Sequence, residues 1–446
     1  MTLGVDDSGH ILSFASTGAG KNLTSVIPNL LTYGPKASVF VIDVKGENHH
    51  WTAKARGRMG QSVHALDPFG ETGAEKPACY NPLDFIDPGD AGITQADGLA
   101  DSIIMREGNG ENRHFSDESQ ALLKAAILHV CSWPAFEGRR NLGTINKIAC
   151  APTALIGDKE TKGQMMENPA YDGLIQRLAL RMRGKGDREG PAVWSTLQAN
   201  LAWLDDPRIA RSLASTSPGL DFADLRKGKM SVYAVLPVRY LHTFSRWLRL
   251  LVGDALGRML GAMNGTNAPA LPALFVLDEA AHLGYLESIK TAFGLARGAS
   301  VKMWGILQTL SQLDDVYGQA GRETMIGNCG GIEVFNISDN TGCEYFSKKM
   351  GTRDVETRSL TVADSIQHQS ADGTRPEQET TSRTETVSYS VAERPWMRPH
   401  EIATMDPQKK IVFRRGCCGP EGQPFSIVNK VWVTEHPCLR KLAGLR

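Results

Sequence analysis

The stretch Ala15-Ser16-Thr17-Gly18-Ala19-Gly20-Lys21-Asn22 places two glycines and a lysine between a β-rich apolar run and a helix-compatible one. It is close to the phosphate-binding pattern G-x-x-x-x-G-K-[ST]. There, backbone N–H groups and a helix N-terminus cradle phosphate oxygens while the lysine reaches the β and γ positions. Ser16, Thr17, Gly18, Ala19, Gly20, Lys21 and Asn22 are therefore the expected nucleotide-binding residues. Two positions depart from the pattern: Ala15 replaces the first glycine, and Asn22 stands where a hydroxyl would hold Mg²⁺. The nucleotide, water, the Asn22 carbonyl or nearby Thr24 could take over that role. Taken alone, the motif is also compatible with a glycine-rich strand-to-helix turn.

A second motif decides between these readings. Leu274-Phe275-Val276-Leu277 runs into Asp278-Glu279, an apolar strand ending in two carboxylates. Beside a P-loop, Asp278 would belong to the Mg²⁺ shell and Glu279 would polarise the attacking water as general base. Either acid could instead cap a following helix. Both motifs in one chain, each at the C-terminal end of a strand, point to a P-loop ATPase that uses ATP and Mg²⁺. Gln308, which closes the run Trp304-Gly305-Ile306-Leu307, is expected near the same sheet edge. Arg297, in Leu295-Ala296-Arg297-Gly298, reads by itself as a solvated arginine near a helix end. In Asp43-Val44-Lys45-Gly46-Glu47, Asp43 could approach the nucleotide, or the segment could be a turn around Gly46. Arg177, Arg181, Arg183, Lys185 and Arg188 form a basic cluster diluted by Asp187 and Glu189, more readily a solvated surface than a phosphate contact.

Positioning these residues requires strands whose C-terminal ends share one edge. Apolar runs at Ile11 to Ala15, Ala37 to Asp43, Met230 to Leu236, Leu274 to Asp278, Val301 to Leu307, Ile332 to Ile337 and Ile411 to Phe413 alternate with helical patterns. That alternation predicts an α/β fold with a parallel sheet covered on both faces. Between residues 111 and 221 the rhythm gives way to helical signals, including an Asp117–Gln120 capping box. The expected division is a nucleotide-binding domain over 1–110 and 222–446, interrupted by an all-helical domain over 111–221. The apolar stripe from Leu241 to Leu260 predicts a core helix ending at Asn264-Gly265. Residues 352–394, rich in Ser, Thr, Gln and Glu, are expected to form a flexible loop.

Composition narrows the function. The 446 residues carry 49 basic and 49 acidic side chains, a balance that disfavours coating nucleic acid with the whole surface but leaves room for a local basic channel. The eight cysteines include no C-x-x-C pair, so a reduced, cytosolic chain is expected rather than a zinc or disulfide scaffold. No run is long and apolar enough to span a membrane, and no signal peptide is evident.

The motifs and their order resemble the TraG-type coupling proteins of conjugative type IV secretion. The resemblance lies in Thr17-Gly18-Ala19-Gly20-Lys21 with Val26-Ile27-Pro28-Asn29-Leu30-Leu31, then Asp43-Val44-Lys45-Gly46-Glu47-Asn48, then Asp278-Glu279 with Leu283-Gly284. It continues through Ala296-Arg297-Gly298, Gln308, Gln312-Leu313, Tyr317-Gly318, Arg394-Pro395, Gln408 and Ile411 to Arg415, and so covers nearly the whole chain. It implies a RecA-like ATPase domain with an inserted all-helical domain, a homo-hexamer around a channel, and ATP-driven transfer of single-stranded DNA with its attached relaxase. It also implies that Arg297 is an arginine finger acting in trans, that Gln308 senses the γ-phosphate, and that Asn22 is a tolerated variant. The partners would include inner-membrane components of the secretion system, and the location the cytoplasmic side of the bacterial inner membrane. Members of the family normally carry an N-terminal membrane anchor, absent from this sequence, which suggests a truncated chain or one that docks through another protein. Two other readings remain: a nucleotide-regulated receptor for exported proteins that pumps no DNA, and a degenerate remnant.

Overall fold

Val39, Phe40, Val41 and Ile42 leave their strand no polar face, so both sides of the sheet it joins must be covered. All four are fully buried. Val39 and Val41 pack with Val26, Leu30, Tyr233, Val276 and Trp304 on one face. Phe40 and Ile42 enter the larger cluster on the other face, with Phe14, Phe275, Leu277 and Met303. The computed structural model describes residues 9–105, 111–158, 161–215, 219–261, 272–369, 378–416 and 418–445.

The central sheet contains β1 (His10–Ala15), β2 (Val39–Asp43), β3 (Ser62–Leu66), β4 (Met230–Val235), β5 (Ala273–Leu277), β6 (Val301–Leu307) and β7 (Cys329–Phe335). β8 (Thr352–Gln369) and β9 (Gln378–Pro395) form a separate two-stranded ribbon, and β10 (Lys409–Arg414) and β11 (Phe425–Asn429) complete the central sheet. Its order is β11-β10-β7-β1-β6-β5-β2-β4-β3. The seven strands from β7 to β3 are mutually parallel. The expected parallel sheet carries an antiparallel addition at one edge, where β10 runs antiparallel to β7 and β11 antiparallel to β10. An antiparallel edge on a parallel sheet is common, because an edge strand can be reached by a short hairpin instead of a crossover.

Between β3 and β4 the described residues form helices and turns, with one isolated bridge at Gly157–Lys162. The helix Glu111–Ser132 starts before Asp117, so that residue lies inside the helix and not at its cap. The preceding residues are helix-compatible, and continuing the backbone ladder outcompetes the local side-chain cap. The helix Leu241–Gly261 buries the predicted stripe, including Phe244, Trp247, Leu251, Ala255 and Met259; Asn264 and Gly265 lie outside the described residues.

The clearest departure is at 352–394. There β8 and β9 pair residue by residue from Thr352–Pro395 to Gln369–Gln378, with 370–377 outside the described residues. Low hydrophobicity suggested a loop, yet β-branched residues recur at strand spacing. One face pairs hydroxyls across the ladder, Thr357 with Ser390 at 2.8 Å, Ser359 with Ser388 at 2.7 Å and Ser365 with Ser382 at 2.7 Å. The other face carries Leu360, Val362, Val387, Tyr389 and Val391, all exposed. Backbone bonds and cross-strand pairs hold such a ribbon without a core.

Arg249 anchors the core helix to the loop that follows Asp278-Glu279. It is 2% exposed and donates to the carbonyls of Leu283 (2.5 Å), Tyr285 (2.7 Å), Ser102 (3.2 Å) and Asp101 (3.3 Å). Removing it strands several buried acceptors at once. Arg249→Met is expected to lower unfolding free energy by about 3 kcal/mol in urea titrations; a loss below about 1 kcal/mol would show that the loop holds itself.

Candidate active site

The chemistry-bearing residues emerge at the C-terminal ends of neighbouring strands, the edge where open α/β sheets bind ligands. β1 delivers Ser16 to Lys21, β6 delivers Gln308, β5 delivers Asp278 and Glu279, and β2 ends at Asp43. Gly18 and Gly20 take φ values of +79° and +78°, conformations that leave the loop's backbone able to turn its N–H groups inward. Lys21 opens the helical run Asn22 to Thr32, whose first turn is π-helical.

Lys21 Nζ lies 2.8 Å from Asp278 Oδ1 and 3.0 Å from Glu279 Oε1. Burial works against its charge, but Asp278 and Glu279 outweigh it and push its pKa above that of an ordinary lysine. Gln308 Nε2 donates to Glu279 Oε2 at 2.9 Å, and Gln312 Oε1 accepts from the Gln308 backbone N–H at 2.8 Å. Glu279 itself sits at φ 55°, ψ 44°, a left-handed conformation that is unusual for this residue type. Four expected residues, Lys21, Asp278, Glu279 and Gln308, thus meet in one contact group. Arg297 falls in the last turn of the helix Glu287–Ala299, and its side chain lies outside the described residues.

Asn22 and Thr24 separate in role. Thr24 Oγ1 donates to Gly20 O at 2.7 Å, so its hydroxyl is committed to the backbone. Asn22 Nδ2 donates to Glu47 Oε2 at 3.2 Å while its buried Oδ1 has no partner. Asp43 is 1% exposed; its Oδ2 accepts from the His49 N–H at 2.8 Å, and its Oδ1 is also unpartnered. Buried orphan oxygens are rare. Oxygens of this kind, like the Asp278 carboxylate, are the donors a hard cation such as Mg²⁺ prefers, so the residue types present fit that ion.

Several supports escaped the sequence reading. Glu333 on β7 accepts from Ser13 Oγ (2.9 Å), Ser25 Oγ (2.9 Å) and Lys410 Nζ (2.6 Å), fixing the floor beneath the loop. A glutamate between Ile332 and Val334 was a visible signal that something cationic must face it. Ser16 Oγ donates to Asn336 O at 2.9 Å, and Lys430 Nζ donates to Ala19 O at 2.8 Å. The basic cluster is partly consumed within the fold, since Arg181 and Lys185 both pair with Glu118 and Lys185 also with Glu189.

A family model described as "Type IV secretory system Conjugative DNA transfer" matches residues 3–418. The chain is similar to Protein VirD4 of Rhizobium radiobacter, 28% identical over 411 residues that cover 91% of this chain and 55% of that protein. It is 26% identical over 369 residues to the conjugal transfer protein TraG of Escherichia coli, covering 79% of this chain and 57% of that one. It therefore spans little more than half the length of these relatives. Among solved structures, plasmid coupling protein TrwB in complex with the ATP analogue ADPNP superposes with a TM-score of 0.66 at 16% identity, over 97% of this chain and 88% of the other. That likeness establishes the fold as α/β, RecA-like, with a helical part.

Burial pushes the Asp43 carboxyl up to about 6, against the backbone N–H groups that lower it, and the charge of Asp278 adds to the rise. The unfolded chain therefore ionises first as pH rises from about 4, and stability on the order of 2–3 kcal/mol is lost by the time pH passes 6. Asp43→Asn should match the native protein in urea unfolding at pH 4 and exceed it at pH 8. An equal change at both pH values would rule out the linkage.

Proposed function

The chain belongs to the family of type IV secretory proteins for conjugative DNA transfer, and on that premise we propose that it is an ATP-driven coupling protein. In this reading it recruits single-stranded DNA with its attached relaxase and drives it into the secretion channel. The observation that carries the reading is the contact group of Lys21, Asp278, Glu279 and Gln308 on three adjacent strands.

Each residue has a role that follows from its place. Ser16 to Asn22 bind the phosphates, and Lys21, held protonated, meets the oxygens of the β and γ groups. Asn22 Oδ1 and the Asp278 carboxylate are the donors that would hold Mg²⁺, which when bound neutralises phosphate charge. Glu279 is the general base: it orients the attacking water and takes up its proton. Gln308 fixes the Glu279 carboxylate through Oε2 and reports on the γ-phosphate through the same amide. Arg297, at a helix end, would serve the site of a neighbouring copy in a homo-hexamer.

The division into a nucleotide-binding domain and an inserted helical domain over 111–221 assigns the first to the motor and the second to cargo. Inner-membrane components of the secretion system are the docking partners, which would place the chain on the cytoplasmic side of the bacterial inner membrane. No helix among the described residues is long and apolar enough to cross a membrane.

The test is steady-state ATP hydrolysis by the purified chain with and without single-stranded DNA, at low and moderate salt. DNA should stimulate turnover, and stimulation should fall steeply with salt because phosphate contacts release counterions. Glu279→Gln and Lys21→Ala should each reduce turnover by about 100-fold or more. Turnover indifferent to DNA, together with tight binding of an exported protein, would replace this reading with that of a nucleotide-regulated protein receptor.

A further inference from the structure

The elements around the P-loop fall on two sides of β1. Asp278, Glu279 and Gln308 come from β5 and β6 on one side; β7, β10 and β11 lie on the other. Lysine meets the β and γ groups, while the α group lies over the start of the following helix. A nucleotide oriented in this way directs its nucleoside past Asn22 and Leu23, away from the carboxylates.

On that side the segment after β11 turns back over the loop. The Val433 backbone N–H donates to Leu23 O at 3.0 Å. Lys430, 8% exposed, donates to Ala19 O (2.8 Å), Pro407 O (2.7 Å) and Asn336 Oδ1 (2.7 Å). All three acceptors are neutral, and the Asp406 carboxylate acts on the ammonium through space without a direct contact. The strap thus ties the loop's backbone to the returning C-terminal segment through a buried ammonium whose three N–H groups are all used.

Between Lys430 and Val433 stands Trp432. A Cβ on Gly20 would fall 2.7 Å from Trp432 Cη2, so the indole lies directly against the loop where only glycine fits. Trp432 Nε1 donates to Gln408 Oε1 at 2.9 Å. The ring is half-buried and belongs to none of the three apolar clusters of the described residues. It is an aromatic surface fixed at its polar tip and one edge, with area left in solvent. Such a surface stacks purines with little regard for which one, because every base presents a π-face.

We propose that Trp432 is the nucleobase platform of the P-loop site, held in position by Gln408 and by the Lys430 anchor. The proposal rests on the reading of the loop as a nucleotide site, and calorimetric titration of the purified chain separates the two. The probes are ADP, GDP and inorganic tripolyphosphate, which has the phosphates but no base. Trp432→Ala should weaken ADP and GDP alike by roughly 5- to 100-fold and leave tripolyphosphate unchanged, and Trp432→Phe should recover most of the loss. ADP should also quench tryptophan fluorescence in the native chain, with that component missing in Trp432→Phe. Unchanged ADP affinity in Trp432→Ala, or an equal loss for tripolyphosphate, would overturn the platform while leaving the P-loop reading intact. A native chain that binds none of the three probes would overturn both.

Discussion

The ammonium of Lys21 lies between two carboxylates supplied by a different strand, and much of the fold exists to permit that contact. One cation faces two anions in a largely dry place, so the excess negative charge must be spread. Gln308 does this by donating to the second oxygen of Glu279. Its position is no accident of packing: β6 lies between β1 and β5, so the residue leaving β6 emerges midway between lysine and carboxylates. Glu279 reaches back only because its backbone is left-handed, at a cost of roughly 1–3 kcal/mol. Arg249, gathering the carbonyls of Leu283 and Tyr285 just downstream, holds the chain in that turn.

The other half of the site depends on the returning C-terminal strands. Glu333 would be an unpaired charge under the loop were it not for Lys410 on the antiparallel β10, and Ser13 and Ser25 satisfy its remaining lone pairs. Removing one member of such a set leaves the others desolvated and unmatched, which costs more than the pair contributes when intact. The antiparallel edge therefore does more than close the sheet. It supplies the counter-charge for the floor and, through Lys430, a direct hold on the loop's own backbone.

The parallel core was legible because its signal is redundant: consecutive buried residues, as at Phe275, Val276 and Leu277, can be little else. Lys21, Asp278, Glu279 and Gln308 were legible because each follows such a run. The edge strands β3 and β11 were not. Ser62-Val63-His64-Ala65-Leu66 mixes polar and apolar positions, and Phe425 to Asn429 is short and half exposed. The ribbon of β8 and β9 was missed because its cohesion lies in backbone ladders and hydroxyl pairs that average hydrophobicity does not register. Lys430 and Trp432 stand about as far from the loop in sequence as the chain allows, and no spacing rule connects them to Ala19 and Gly20.

The strand order also sets a timetable. β1, the strand that carries the loop, has as neighbours β6 and β7, and Ser13 meets Glu333 across 320 residues of intervening chain. Parallel pairing at that separation must wait for the partner to exist, and closing so long a loop is slow. At ribosomal rates of about 5–20 residues per second the delay between the two strands is roughly 15 to 65 s. Until then Leu12 and Phe14, which end with no exposed surface, lack the full pair of strands that encloses them. A nascent chain thus offers two apolar side chains to a chaperone well before it can offer Lys21 to a phosphate.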